Sequence, residues 1–267
     1  MQSIEKPWNS GGTQPGLVIL DPPRSGSDNM AIDEALIEKA RPDWPIVLRV
    51  YQWERPTLSI GHFQRIEDRK NSPSLTDLPW VRRKTGGGAI VHDCELTYSI
   101  VVPNRGEKAM KGPNQTLYRA IHTRFVQELG AIGLNTQLSE SCTCSTNTPQ
   151  TSEPFLCFSR RSPVDLLIGQ DKILGSAQRR TSTGILQHGS FLLRRTQSTP
   201  HLAGLLDHTS GAANQFDLAQ WQNFFITTLK NGLSQLLQVQ WQNGKLIDLP
   251  SPGGNEVSNL WFSELDD

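Results

Sequence analysis

The sequence predicts one α/β or α+β domain with appendages, and three observations carry that prediction. A chain of 267 residues can bury a substantial core in a single unit. Short apolar runs bounded by Pro and Gly give residues 17–102 a strand-rich pattern, which returns between 164 and 193. Two stretches repeat apolar side chains at about four-residue intervals, the stripe of a helix packed on one face.

Taken in order, Met1 to Gly16 is polar and holds Pro, Asn, Gly and Thr. It lacks the apolar run of a secretory signal or a membrane span, so a flexible leader on a cytoplasmic protein is expected. Leu17–Leu20 reads as a short strand broken by Pro22, Pro23 and Gly26. A helix from Asn29 to Ala40 follows, capped by Ser27 or Asp28. Over Ile46–Trp53, Ile46, Leu48 and Val50 alternate with Arg49 and Gln52, the period of a half-buried strand. Thr57–Gly61 and Trp80–Lys84 are expected to continue that sheet, and Leu96–Val102 adds a strand ending at Pro103.

From a cap at Asn114, Leu117, Ile121, Phe125 and Leu129 mark a helix that Gly130 or Gly133 stops. Residues 139–152 hold eight Ser or Thr among fourteen, with little to bury, and read as a mobile surface loop. Val164–Ile168, Lys172–Ser176 and Ile185–Leu193 read as strands that extend the first sheet or form a second, with a turn at Gly169-Gln170-Asp171. Asp217 caps a long helix through Trp221, Phe225, Leu229, Leu233 and Leu237. The expected organisation is a leader over 1–16, a domain over 17–240 and a Pro/Gly-rich tail over 241–267.

The 26 basic and 26 acidic residues cancel, so no global field favours nucleic acid or an anionic membrane. Four cysteines, Cys94, Cys142, Cys144 and Cys157, are too few for a disulfide framework at this length, and reduced thiols are expected. Cys142-Thr143-Cys144 has no matching pair of ligands elsewhere, so no metal site is expected.

Residues 82–93, Arg-Arg-Lys-Thr-Gly-Gly-Gly-Ala-Ile-Val-His-Asp, are the most informative in the chain. Three consecutive glycines cost backbone entropy and imply close approach to the main chain. The run lacks the ending of a P-loop and the spacing of a dinucleotide-binding turn, and taken alone it is equally a tight hairpin. A second cluster, Asp171 to Arg180 followed by Gln187-His188-Gly189-Ser190, sets Lys172 beside the small residues Gly175, Ser176 and Ala177.

Together these segments resemble the lipoate–protein ligase, octanoyltransferase and biotin–protein ligase superfamily. Met30-Ala31-Ile32-Asp33-Glu34-Ala35-Leu36, Pro56 to Gly61 with Gln64, and Glu95-Leu96-Thr97-Tyr98-Ser99 also match, in the family's order, across roughly residues 28–193. The resemblance implies mixed β-sheets flanked by helices and enclosing an acyl-binding tunnel, with the glycine loop and the lysine strand along its walls. It is strongest to the bacillus-type octanoyl-[acyl-carrier-protein]:protein N-octanoyltransferases, which present a cysteine ahead of the lysine strand. Cys157, fifteen positions before Lys172, stands in that place.

The resemblance therefore implies Cys157 and Lys172 as the catalytic pair. It implies Arg83, Thr85, Gly86, Gly87, Gly88, His92, Gly175, Ser176 and Ala177 as substrate-binding residues. A free thiol with a pKa of about 8.5 is mostly protonated at neutral pH, and an adjacent ammonium favours the thiolate. Cys157 would take an octanoyl group from acyl carrier protein as a thioester and pass it to a lysine of a lipoyl domain or glycine-cleavage H protein, in protein lipoylation. Backbone amides near Ser176 and Ala177, or the lysine, are the expected oxyanion donors. Burial of the acyl chain gains about 0.8 kcal/mol per methylene, so tunnel length would select chain length. Arg82, Arg83, Arg179 and Arg180 are candidates for docking an acidic carrier. No cofactor is expected for this reaction. The alternatives are an ATP-dependent lipoate–protein ligase, which would use ATP and Mg²⁺, and a non-catalytic carrier-binding homologue.

Overall fold

A computed structural model of the chain describes residues 12–106, 115–141, 154–209, 216–247 and 261–264. The leader through residue 11, the Asn114 cap, Cys142, Cys144 and residues 142–152 of the Ser/Thr-rich stretch lie outside the described residues. Twelve described strands form two sheets. They are β1 (Gln14–Leu20), β2 (Ile46–Tyr51), β3 (Thr57–Ile60), β4 (Trp80–Arg82), β5 (Ile90–His92) and β6 (Glu95–Pro103). The second half adds β7 (Thr136–Leu138), β8 (Leu166–Ile168), β9 (Asp171–Arg180), β10 (Gly184–Leu192), β11 (Val239–Ile247) and β12 (Trp261–Glu264).

The large sheet has the order β12-β11-β1-β2-β6-β10-β9-β8-β7, with β1 parallel to both β2 and β11 and the other pairs antiparallel. The strands read from Val164 to Leu193 thus extend the first sheet. β3 and β4 do not: they join β5 in a separate sheet of order β4-β3-β5. The sequence reading also passes over β11, which crosses position 241 and pairs with β1 from Gln14↔Val239 onward.

Each face of the large sheet is covered. Helices α2 (Thr116–Ala131) and α3 (Leu218–Leu237) pack on one face through Leu117, Ile121, Phe125 and Leu129 and through Trp221, Phe225, Leu229 and Leu233, all at most 1% exposed. Helix α1 (Gly26–Glu38) covers the other. The period of two in β2 then divides its side chains between two cores: Ile46, Leu48 and Val50 face α2 and α3, and Val47 faces α1. Arg49 shares the α1 side and is fully buried, so β2 is not the half-buried strand its alternation suggests. Asp21 and Asp33 compensate the charge at 2.7 and 2.9 Å, with Asn29 completing the set.

Helix ends follow local chemistry. Ser25, two residues before the expected cap, accepts from the Asp28 amide and fixes the start of α1. Asp217 and Gln220 form the reciprocal cap of α3. No described helix is long and apolar enough to cross a membrane.

Candidate active site

The glycine loop joins β4 to β5, and the buried side chain of Arg83 shapes it from within. Arg83 Nη2 donates to the carbonyls of Gly86 and Gly88 at 3.2 and 2.9 Å, while Nη1 donates to Ser59 O and Oγ. Arg83 is 2% exposed and cannot dock a carrier protein, contrary to the sequence expectation. Arg82 commits its Nη1 to the carbonyls of Gly61, His62 and Gln64, and holds the neighbouring turn.

Cys157 opens a single 3-10 turn, Cys157–Ser159, laced onto this loop. Ala89 N donates to Phe155 O at 2.9 Å, and Cys157 N donates to Ala89 O at 2.7 Å. A Cβ on Gly88 would fall 2.8 Å from the Cys157 backbone, so glycine there permits the approach. Lys172, near the start of β9, is 5% exposed. Its Nζ has three acceptors: Asp165 Oδ2 at 2.8 Å, Cys157 O at 3.3 Å and Cys157 Sγ at 3.6 Å. An ammonium carries three donors and no acceptor, so this set matches the charged form in number.

Cys157, Arg83, Gly87, His92, Gly175, Ser176 and Ala177 line one narrow cleft with a cavity volume of about 30 Å³. Met30, Trp53 and Ile90 contribute apolar wall. The other expected substrate-binding residues, Thr85, Gly86 and Gly88, are not among those that line it. Thr85 is buried and hydrogen-bonded to His188, Gly86 accepts from Arg83, and Gly88 backs Cys157. Among the described residues, no three His, Cys, Asp or Glu side chains gather as a metal-binding set.

Two buried networks support the cleft. Glu95 accepts from Thr97 Oγ1, Ser190 Oγ and His92 Nδ1, and His92 Nε2 meets Ser59 Oγ at 2.6 Å. Trp53 stacks on His92 with ring centroids 3.8 Å apart and donates to Thr97 Oγ1. On the other side, burial pushes the His122 pKa down to about 4, so its ring is neutral near pH 7. Its Nδ1–H donates to Val164 O, which leaves Nε2 to accept from Ser176 Oγ at 2.8 Å. Tyr98, protonated because burial raises its pKa to about 12, then donates to Ser176.

Sequence reading does not find Asp165, His122, Ser59 or Glu95 as supports. Asp165 leads directly into the apolar run Leu166–Ile168, and an acidic residue there is a usable signal. His122 sits inside the core stripe of α2 and carries none. Cys94 is half-buried against the main core, and burial raises its pKa.

The family profile of the lipoyl protein ligase A/B catalytic domain matches residues 25–233. Octanoyltransferase LipM of Kyrpidia tusciae is 37% identical over 172 residues, which cover 63% of this chain and 62% of that protein. The Geobacillus kaustophilus protein of the same name is 37% identical over 177 residues, covering 62% of this chain and 60% of that one. The matched segment thus spans about six-tenths of these relatives. Among solved structures, a putative lipoate protein ligase from T. acidophilum superposes with a TM-score of 0.62 at 19% identity, over 88% of this chain and 90% of that one. A lipoate-protein ligase A bound with ATP gives 0.59 at 19% identity, over 89% and 90%. These likenesses establish the fold. The glycine loop, the cysteine turn and the lysine strand all fall within the matched span, and the chain belongs to the lipoyl protein ligase A/B catalytic-domain family.

Proposed function

We propose that this protein is an octanoyltransferase of protein lipoylation. It moves an octanoyl group from acyl carrier protein, through a thioester on Cys157, to a lysine of a lipoyl domain or H protein. The observation that carries the reading is the placement of Lys172 Nζ 3.6 Å from Cys157 Sγ, with Cys157 at the wall of an apolar-lined cleft. The octanoyl chain lies in that cleft as in a tunnel, beside Gly87, Gly175 and Ala177.

In the first half-reaction Cys157 sulfur attacks the thioester carbonyl, and the pantetheine thiol leaves with the cysteine's proton. The Lys172 ammonium stabilises negative charge on the sulfur as the bond forms and breaks. One thioester replaces another, so the step is near balance. In the second half, an acceptor lysine amine attacks the Cys157 thioester, an amide forms, and the cysteine thiol is regenerated. Similarity to the LipM proteins supports this choice of donor and acceptor. The half-buried Arg179 and Arg180, on β9, suit an acidic carrier.

The test is incubation with octanoyl-acyl carrier protein, followed by mass spectrometry for an octanoyl adduct on Cys157. A Cys157→Ser variant is expected to lose transfer. No adduct, together with ATP- and Mg²⁺-dependent lipoylation of an acceptor domain, would favour the ligase. Neither activity would favour a non-catalytic carrier-binding homologue.

A further inference from the structure

Resting on that reading, both half-reactions create an oxyanion beside Cys157, and the structure narrows which side chain can serve it. Lys172 has an acceptor for each of its three N–H groups, so it reaches an oxyanion only by releasing one. Ser176 directs its hydroxyl proton to His122. Thr97, Ser190 and the His92 Nδ1–H all converge on Glu95. Tyr51 donates to Asp33, and His188 is held between Thr85 and Asp33. The Trp53 indole N–H is committed to Thr97.

Arg83 is different. Four of its five N–H groups are available to neutral acceptors, Ser59 and the carbonyls of Gly86 and Gly88, through Nη1 and Nη2. Its fifth, on Nε, is buried with no hydrogen-bond partner among the described residues. The guanidinium also makes no ion pair with a carboxylate among the described residues, whereas the equally buried Arg49 has Asp21 and Asp33. A buried cation without an anion on the wall of a reaction cleft is costly unless an anion arrives. Burial drives the Arg83 pKa down, and of the acidic groups around it Cys157 does most to hold it up.

We propose that Arg83 is a catalytic residue whose guanidinium, through its unpartnered Nε–H, stabilises the oxyanion formed at Cys157 in both half-reactions. Cys157 sulfur bonds to the carbonyl carbon, the C=O π pair moves onto oxygen beside Arg83, and its return expels the pantetheine thiolate. In the second half, an amine attacks and the same oxygen gains and returns the pair as Cys157 thiolate leaves. The donor is preorganised. The hydrogen bonds to the glycine loop, and the chain from Ser59 through His92 to Glu95, hold the guanidinium before any charge develops.

The test is the Arg83→Lys variant, with Arg83→Gln beside it. Each is measured for Cys157 acylation by octanoyl-acyl carrier protein, for transfer from pre-acylated enzyme to a lipoyl domain, and for alkylation of Cys157 by iodoacetamide. Alkylation needs an accessible, correctly placed sulfur and forms no oxyanion. Both half-reactions should slow by about 10²–10³-fold in Arg83→Gln, with alkylation changed less than about threefold. Wild-type rates in both halves, slowing of one half alone, or alkylation falling in step with acylation would overturn the proposal. If the unaltered protein takes up no octanoyl group, the functional reading fails first and the Arg83 role falls with it.

Discussion

Asp165 and Lys172 form a buried ion pair, Oδ2 to Nζ at 2.8 Å, with side chains only 4% and 3% exposed. The carboxylate also accepts from the Ser162 amide at 2.7 Å, so it is fixed before it holds the ammonium. Asp165→Asn should lower unfolding stability by about 3–5 kcal/mol, the cost of leaving one buried charge uncompensated. Urea denaturation checks this, and Lys172→Met added to Asp165→Asn should restore part of the loss.

Gly88 sets how closely the Cys157 turn approaches the glycine loop. A Cβ there meets the Cys157 backbone N and Cα, both at 2.8 Å, and neither can swing aside as a flexible side chain would. Gly88→Ala should cost about 1–3 kcal/mol in stability and displace the cysteine turn. Slower Cys157 acylation and slower iodoacetamide alkylation together would report that displacement.

Ala177 faces the glycine loop across the cleft: a Cβ on Gly87 would stand 4.0 Å from the Ala177 Cβ. Ala177→Leu should fill the space proposed for the acyl chain. Acylation by octanoyl-carrier is expected to fall by about 10- to 100-fold, the rate equivalent of about 1–3 kcal/mol of overpacking. Alkylation by the much smaller iodoacetamide should persist, and equal loss of both would refute a chain-binding role.

His122 gives the fold a defined acid response. Its pKa falls from an ordinary 6.5 to about 4 because burial disfavours the imidazolium. Between those values the unfolded chain binds the proton more readily than the folded one, so stability decreases as pH falls through that window. The contribution is intact above 6.5, and about 3 kcal/mol is lost by pH 4. Denaturation curves at pH 7.5, 5.5 and 4 should show this slope, and His122→Gln should flatten it.

Much of the site was legible because its members lie in contiguous motifs. Residues 83–88 and 172–177 carry their meaning locally, and the resemblance put Cys157 beside Lys172, where the structure also places it. Supports assembled only by tertiary contact were not legible. Glu95 and Ser59 come from two strands and meet only through His92, and His122 looks like any other core position of α2. Strand β11 is hard to see in sequence: Val239 and Trp241 alternate with Gln240 and Gln242, but Asn, Gly and Pro residues follow closely and give the segment the composition of a loop. Arg49 misled for another reason: sequence alternation cannot show that two aspartates wait on the covered face.

The lacing of Cys157 to Ala89 mounts the proposed nucleophile beside the three-stranded sheet, whereas Lys172 belongs to the nine-stranded one. Cys157 and Lys172 therefore meet across a seam. Their 3.6 Å separation is set by how the small sheet is seated against the large one. Arg83, through the carbonyls of Gly86 and Gly88, shares the mounting of Cys157, and Lys172 reaches across from its aspartate to the Cys157 carbonyl and sulfur.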